Sequence, residues 1–308
     1  MANTTTTAAA GRLVRLDNGQ CRALVYPEQG FQLHGLTTAA SVGGAPVEVI
    51  FGPPDGREPA DRRYGNPVLF PSVGVTSGPG SEPDRWSHAG RLFTMQQHGW
   101  ARDAYWHVDA VGDSSVSAHL VPTTGLRASF PFPFELRLRY ALEGMGLSLS
   151  AELHNQGDGP FPYALGFHPY LRAPLSSGGS RGQCRVRLPA GTRLRSADSW
   201  RTIERTPAAA RTIDALDSEL PGSIVLGDTG ATALELEDAA AGIAARVSVE
   251  ESEQSFPVWV AWTSSPEAPY LCLEPWTDAP NALNRPGTRT IPPGGAHRYR
   301  LTISLRAL

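Results

Sequence analysis

His168 and Glu274 are the two residues whose type and setting best suit them to move protons. His168 lies in Phe161-Pro162-Tyr163-Ala164-Leu165-Gly166-Phe167-His168-Pro169-Tyr170, where four aromatics, two prolines and a glycine surround a single imidazole. More than a hundred residues later, Tyr270-Leu271-Cys272-Leu273-Glu274-Pro275-Trp276 carries one acid in an otherwise apolar run. Each of the two precedes a proline, which biases it towards extended backbone. In an extended run Leu271 and Leu273 share one side, and Cys272 and Glu274 the other. A carboxylate framed in this way is shielded, and shielded carboxylates are rare unless paired or functional. A lone histidine among aromatics is more often a core or turn residue than a catalyst, so Glu274 carries more of the weight. The expectation is that the two meet across one pocket of sugar size.

A second cluster, Gln97-His98-Gly99-Trp100-Ala101-Arg102-Asp103, brackets an indole between an imidazole and a guanidinium. Gly99 permits a close backbone approach or a positive φ. The cluster reads either as a turn histidine beside a surface arginine or as a sugar-binding corner, with hydrogen-bond donors next to an aromatic face. Asp214 and Asp217 lie in a long stretch, 189–222, with scattered Arg and Asp and little apolar periodicity. Such stretches carry function or disorder, and a solvated loop acid is the plainer reading of both.

The elements that must hold these groups are short. The chain has 32 glycines and 27 prolines in 308 residues, which break it into pieces too short for long amphipathic helices. Alternating runs dominate, as in an all-β sandwich or barrel. Phe134–Tyr140 keeps its apolar residues at even numbers and Leu147–His154 at odd ones, with Glu143-Gly144-Met145-Gly146 as the turn. This is a hairpin with one wet face, and it leaves His154 solvated. Further strands are expected at Ala23–Tyr26, Val47–Phe51, Cys184–Leu188, Ala233–Glu237, Ala245–Val249 and, closing the chain, Arg298–Leu305. Val258–Trp262 is apolar throughout, as for a strand buried on both faces. Arg12–Asn18 is only weakly patterned. Gly65–Gly74, with its prolines, reads as a rigid, half-buried approach rather than a central strand, and Ser77–Gly90 as a surface loop. No repeat or shift in composition divides the chain, so residues 11–308 are expected to form one domain behind a flexible tail of residues 1–10.

Composition excludes several classes. The formal net charge is −3 with no basic patch interleaved with aromatics, which argues against a nucleic-acid partner. No apolar run reaches the ~18 residues of a membrane span, and the N-terminus lacks the charged and apolar regions of a secretory signal. Cys21, Cys184 and Cys272 are odd in number and far apart, so neither a disulfide framework nor a zinc knuckle is indicated. The expectation is a soluble, cytoplasmic protein that acts on a small molecule, as monomer or homodimer, with no metal.

The motifs together resemble the aldose 1-epimerase (galactose mutarotase-like) family. The resemblance rests on Asn66-Pro-Val-Leu-Phe-Pro-Ser-Val-Gly74, His98-Gly-Trp-Ala-Arg102, Leu165-Gly-Phe-His168-Pro-Tyr170, Cys272-Leu-Glu274-Pro-Trp276 and Thr290-Ile-Pro-Pro-Gly-Gly295, in that order over most of the chain. It implies a large antiparallel β-supersandwich with few helices, a sugar cleft on its concave face, and no cofactor. It further implies His168 as general acid, Glu274 as general base, and His98 and Arg102 as sugar-binding residues. The family's acidic sugar ligand would fall in 189–222, with Asp217 the choice and Asp214 the competitor. One departure bears on substrate: many relatives carry an arginine after the Pro-x-x-Gly stretch, where this chain has Val75. Arg62, Arg63, Arg85 or Arg91 are the candidates to replace it.

A carboxylate and an imidazolium suffice for anomer interconversion, which needs no redox step and no external nucleophile. Trp100, Tyr170 and Trp276 are candidates to stack on the sugar's C–H face. Three readings compete: a mutarotase for a free hexose; the same chemistry on a hexose 6-phosphate, which demands several cations at the cleft mouth; and a sugar-binding protein without catalysis. A glycosidase fits less well, because that chemistry usually wants two carboxyl groups.

Overall fold

The computed structural model describes residues 12–42, 45–52, 64–250 and 254–308. The expected N-terminal tail lies outside them, as do Arg62 and Arg63. The architecture is all-β. A nine-stranded sheet runs, edge to edge, through Arg211–Asp214, Cys184–Leu188, Ala233–Asp238, Ile243–Val249, Ala296–Ala307, Gly146–Asn155, Phe134–Glu143, Ser115–Leu120 and His107–Val111. An eight-stranded sheet contains Glu204–Ala208, Gly191–Arg195, Ile224–Gly227, Val258–Trp262, Tyr270–Trp276, Gly166–Phe167 and Val68–Leu69, with Tyr170–Arg172 also paired to Tyr270–Trp276. Every strand pair in both sheets is antiparallel. A four-stranded sheet, Val14–Asp17 to Ala45–Glu48, completes the N-terminal part.

The period-2 patterns explain the layering. In the hairpin, Phe134 pairs with Asn155 and Glu143 with Gly146, so Leu136, Leu138 and Tyr140 face inwards beside Leu149 and Leu153. The C-terminal strand inserts beside it and adds Tyr299, Leu301 and Ile303. These residues pack in one core with Phe167, Trp259, Ala261, Leu271 and Leu273 of the eight-stranded sheet. The other face of that sheet carries a separate apolar cluster, including Leu69, Val225, Val260 and Trp276. Val258–Trp262 is thus buried on both sides, as its unbroken apolar run predicts.

Four segments differ from the sequence expectation. Arg12–Asn18 contains a strand, Val14–Asp17, held by Cys21–Tyr26. Gly65–Gly74 is wholly buried rather than half-buried, and Val68–Leu69 joins the sheet edge through Gly166–Phe167. Ser77–Gly90 folds back as a small hairpin, Arg85–His88 on Arg91–Thr94. The stretch 189–222 is no irregular loop. It supplies Glu204–Ala208 and Arg211–Asp214, the edge strands of the two sheets, and Gly191–Arg195, the strand next to the edge. Strands at or next to a sheet edge bury little, and in these three only Leu194 and Ile213 are buried, which leaves almost no periodic signal. Among the described residues no helix is long and apolar enough to cross a membrane.

Candidate active site

Tyr270–Trp276 is the strand on which the site is built. Leu271 and Leu273 enter the main core, so Cys272, Glu274 and Trp276 must point to the opposite face. Val260 lies opposite Glu274 on one flank, and Tyr170 lies opposite Cys272 on the other. His168 sits between the short strands Gly166–Phe167 and Tyr170–Arg172, and its backbone N–H donates to the Pro67 carbonyl at 3.2 Å. Gly166 opposite Trp276 is required sterically: a Cβ there would come within 2.6 Å of the indole Cδ1.

The result is a close pair. Nε2 of His168 lies 3.3 Å from Oε2 of Glu274, and both side chains are almost fully shielded from water. Yet Oε2 of Glu274 and Nδ1 of His168 each lack a hydrogen-bond partner, as does the indole N–H of Trp276. The His168 ring stacks on Tyr170 at 4.7 Å and meets Trp262 edge-on at 5.5 Å. Burial, reinforced by the Arg102 charge, lowers the His168 pKa to about 3. Burial also raises the Glu274 pKa well above the usual carboxylate range. Both shifts have one cause and one sense: burial disfavours the charged form of each group.

These groups line a cavity of about 410 Å³ that also takes in Gly74, Val75, Gln97, His98, Arg102, Trp200, Ser223, Val225, Trp262, Trp276 and Pro280. His98 is clasped by Gly74, whose N–H donates to Nδ1 at 3.1 Å and whose carbonyl accepts from the His98 backbone at 2.8 Å. Burial lowers the His98 pKa well below its usual value, with His168 and Arg102 adding to the effect. A neutral ring that accepts at Nδ1 carries its hydrogen on Nε2, which makes His98 a donor. Arg102 is anchored by a 3.0 Å bond from Nη2 to the Gln97 carbonyl.

The other expectations resolve differently. Asp217 is not among the cavity residues; its carboxylate caps the backbone of Glu219 at 2.8 Å. Asp214 ends the edge strand of the nine-stranded sheet and accepts from the Leu216 backbone. The stretch 189–222 contributes Trp200 instead, followed by Ser223. Tyr170 and Trp276 line the cavity, whereas Trp100 packs away from it against Phe70 and Phe134. Arg85 bonds to Thr94, and Arg91 lies over the Phe93 ring, so neither reaches the site. Val75 lines the wall, and Arg102 is the one cationic residue among the described cavity-lining positions.

Three cavity residues that are not glycine hold left-handed backbone: His98 at φ 66°, Trp200 at φ 65° and Ser223 at φ 64°. Each costs about 1–3 kcal/mol, and such strain gathers at functional sites. The surroundings maintain it. Asn281, fully buried, donates to the carbonyls of Ser77 and Trp200 and accepts from the Ser77 N–H, while its own N–H bonds to the Val75 carbonyl. Arg193 holds the Ser223 carbonyl at 3.1 Å. The one signal that pointed to Trp200 was a lone indole in a polar run, Ser196-Ala197-Asp198-Ser199-Trp200. A second cleft, of about 470 Å³ beside Pro46 and Pro174, is no smaller, but it contains the Arg172–Glu48 ion pair and no coupled acid and base.

Solved structures share this architecture. A protein from Synechocystis sp. PCC 6803 superposes with a TM-score of 0.78 at 23% identity over 100% of each chain. A galactose mutarotase related enzyme from Lactobacillus acidophilus gives 0.77 at 20% identity, covering 96% of this chain and 98% of its own. A galactose mutarotase-like protein from Lactobacillus casei gives 0.78 at 21%, covering 96% and 100%. At these identities the likeness speaks to the fold. No curated protein sequence matches the chain. A model of the aldose 1-epimerase family, however, matches residues 12–304, and by that match the chain belongs to the aldose 1-epimerase family.

Proposed function

We propose that this protein interconverts the α and β anomers of a free aldohexose, with His168 as general acid and Glu274 as general base. The observation that carries the reading is the shielded 3.3 Å approach of the two groups in a cavity of about 410 Å³. Glu274 takes the C1 hydroxyl proton while His168 gives one to the ring oxygen. The C1–ring oxygen bond breaks, leaving an aldehyde, a neutral imidazole and a protonated carboxyl. The C1–C2 bond turns, the ring oxygen attacks the other face, and both protons return. Each positioned group is worth about 10²–10⁴-fold.

Burial favours the neutral form of both groups, which is the protonation state that belongs to the open-chain intermediate. Sugar binding must therefore favour the ion pair. A hydroxyl that donates to the unpartnered Oε2 of Glu274 stabilises the carboxylate. His98 Nε2–H, Arg102, Gln97 and Ser223 are the hydroxyl-binding groups in this reading, and they take the place expected of Asp217. Tyr170, Trp200, Trp262 and Trp276 supply the faces for C–H stacking.

A single arginine and the apolar Val75 at the wall favour a free sugar over a hexose 6-phosphate. An intact acid–base pair disfavours a purely binding role. The three cysteines are free and buried, in keeping with a reducing, cytoplasmic setting. Polarimetry or NMR exchange on a freshly dissolved α-aldose tests the proposal. The wild type should accelerate equilibration, and His168→Ala and Glu274→Gln should each lose about 10²–10⁴-fold. A wild type no faster than buffer on every hexose would overturn it.

A further inference from the structure

We infer that His168, Cys272 and Glu274 form a binding site for a thiophilic divalent cation such as Zn²⁺, open on its fourth side to the sugar cavity. Each offers one donor atom, the three donor atoms lie within 4.8 Å of one another, and all three residues are buried. They come from two places that sequence spacing could not connect: Cys272 and Glu274 on one face of Tyr270–Trp276, and His168 on the neighbouring turn.

The spacing of the nitrogen and oxygen donors is close to what the ion needs. Tetrahedral zinc, with bonds of about 2.0–2.1 Å to nitrogen and oxygen, sets those two donors about 3.4 Å apart. His168 Nε2 and Glu274 Oε2 are already 3.3 Å apart. Cys272 lies behind them, in the cluster that Tyr170, Tyr270 and Trp262 form against the cavity. Three protein ligands plus one open position is the arrangement of zinc sites that accept a small ligand.

Two further observations point to an occupant. Oε2 of Glu274 is buried without a hydrogen-bond partner, so the carboxylate has a lone pair that the fold does not use. Charge also balances. A dication with one thiolate, one carboxylate and one neutral imidazole sums to zero, so the assembled site avoids the penalty that each buried charge would meet alone. Binding takes the Cys272 thiol and the Glu274 carboxyl in their deprotonated forms, so it tightens as pH rises.

The cation and the proton shuttle use the same side chains, so the loaded protein should not turn over sugar. That inhibition rests on the proposed function; the binding does not. The test uses the full chain, reduced and stripped with chelator, then titrated with Zn²⁺ by calorimetry and with Co²⁺ by absorption. One equivalent should bind, with a thiolate-to-Co²⁺ charge-transfer band. X-ray absorption of the Zn²⁺ form should find one sulfur at about 2.3 Å. Cys272→Ser should weaken binding by more than the roughly 10–100-fold typical of groups that only orient a ligand, and it should leave mutarotation resistant to Zn²⁺. Cys21→Ser and Cys184→Ser should bind as the wild type does.

A coordination shell of nitrogen and oxygen alone, or equal affinity in Cys272→Ser, overturns the site. The X-ray measurement needs no variant and decides the matter even if Cys272→Ser fails to fold. If the metal-free protein shows no mutarotation, the proposed function fails while the sulfur count still judges the site. If the metal-free protein is active and no sulfur is found, only the site fails.

Discussion

The two faces of the eight-stranded sheet are made from the same strands and obey opposite rules. On the core face, large side chains are buried and their polar atoms are answered: the Trp259 indole donates to the Ala231 carbonyl at 3.0 Å, and elsewhere in the same core the indoles of Trp86 and Trp106 each donate to a backbone carbonyl at 2.9 Å. Tyr163 pairs its hydroxyl with Tyr299 at 2.5 Å and His297 at 2.6 Å. Trp100, just past His98, is an exception with an unpartnered indole. On the cavity face, His168, Glu274 and Trp276 are equally buried, yet each keeps a polar atom without a partner. Buried polar atoms left unpaired cost about 1–3 kcal/mol each. A surface that carries several of them, together with three strained backbone positions, is arranged for a ligand rather than for stability.

The contrast can be broken most sharply with two neighbours on one strand. Glu274→Gln should lower mutarotation by about 10²–10⁴-fold with little or no loss of stability. Leu273→Ala, on the core face, should cost about 2–5 kcal/mol in unfolding free energy and leave the activity of the folded fraction far less changed. Denaturant titration beside polarimetry separates them, and a Leu273→Ala protein that is stable but inactive would dissolve the distinction.

Stability against pH sharpens it further. The Glu274 pKa is raised in the fold, so its burial is best tolerated below about 4.5 and stability falls as pH rises towards the shifted value. The melting-temperature advantage of Glu274→Gln over wild type should therefore grow with pH, by some degrees between acid and mildly alkaline buffer. His168 runs the other way. Its folded pKa is about 3 against a usual 6.5, so its contribution is complete above 6.5 and is lost as pH falls through that window. His168→Asn should flatten the acid limb of the same melting curve.

Smaller effects probe the cavity wall. Trp200→Ala should raise KM by about 3- to 10-fold with kcat nearly unchanged, the mark of lost uniform binding, since aromatic contacts are worth about 0.5–1.5 kcal/mol. An unchanged KM would remove Trp200 from the site. Val75→Arg should lower KM for a hexose 6-phosphate by about 2- to 5-fold relative to the free sugar, as a half-exposed ion pair allows. No change in that ratio would mean that position 75 does not face the sugar's distal end.

What was legible in the sequence follows the same division. Strands that bury one clean face, such as Phe134–Glu143 and the C-terminal Ala296–Ala307, announce themselves through alternation. Of the site, His168, Glu274, His98 and Arg102 stand in compact motifs and fall together in the cavity. Gly191–Arg195, Glu204–Ala208 and Arg211–Asp214 stayed hidden because arginine-bearing strands at or next to an edge bury too little to leave a period. Asp217 was chosen as an acid in the right stretch, but a carboxylate that caps a neighbouring backbone N–H looks the same in one dimension as one that faces a ligand. Trp200 depends on Asn281, some 80 residues away, for its position, and no local pattern encodes such a tether.

That tether has a kinetic consequence. Because Asn281 joins the segments around Val75, Ser77 and Trp200 through a single buried amide, the mouth of the cavity behaves as a fixed hoop and not as a hinged cover. Sugar capture should then show observed rates that climb linearly with concentration in stopped-flow fluorescence, where a gated enzyme would level off.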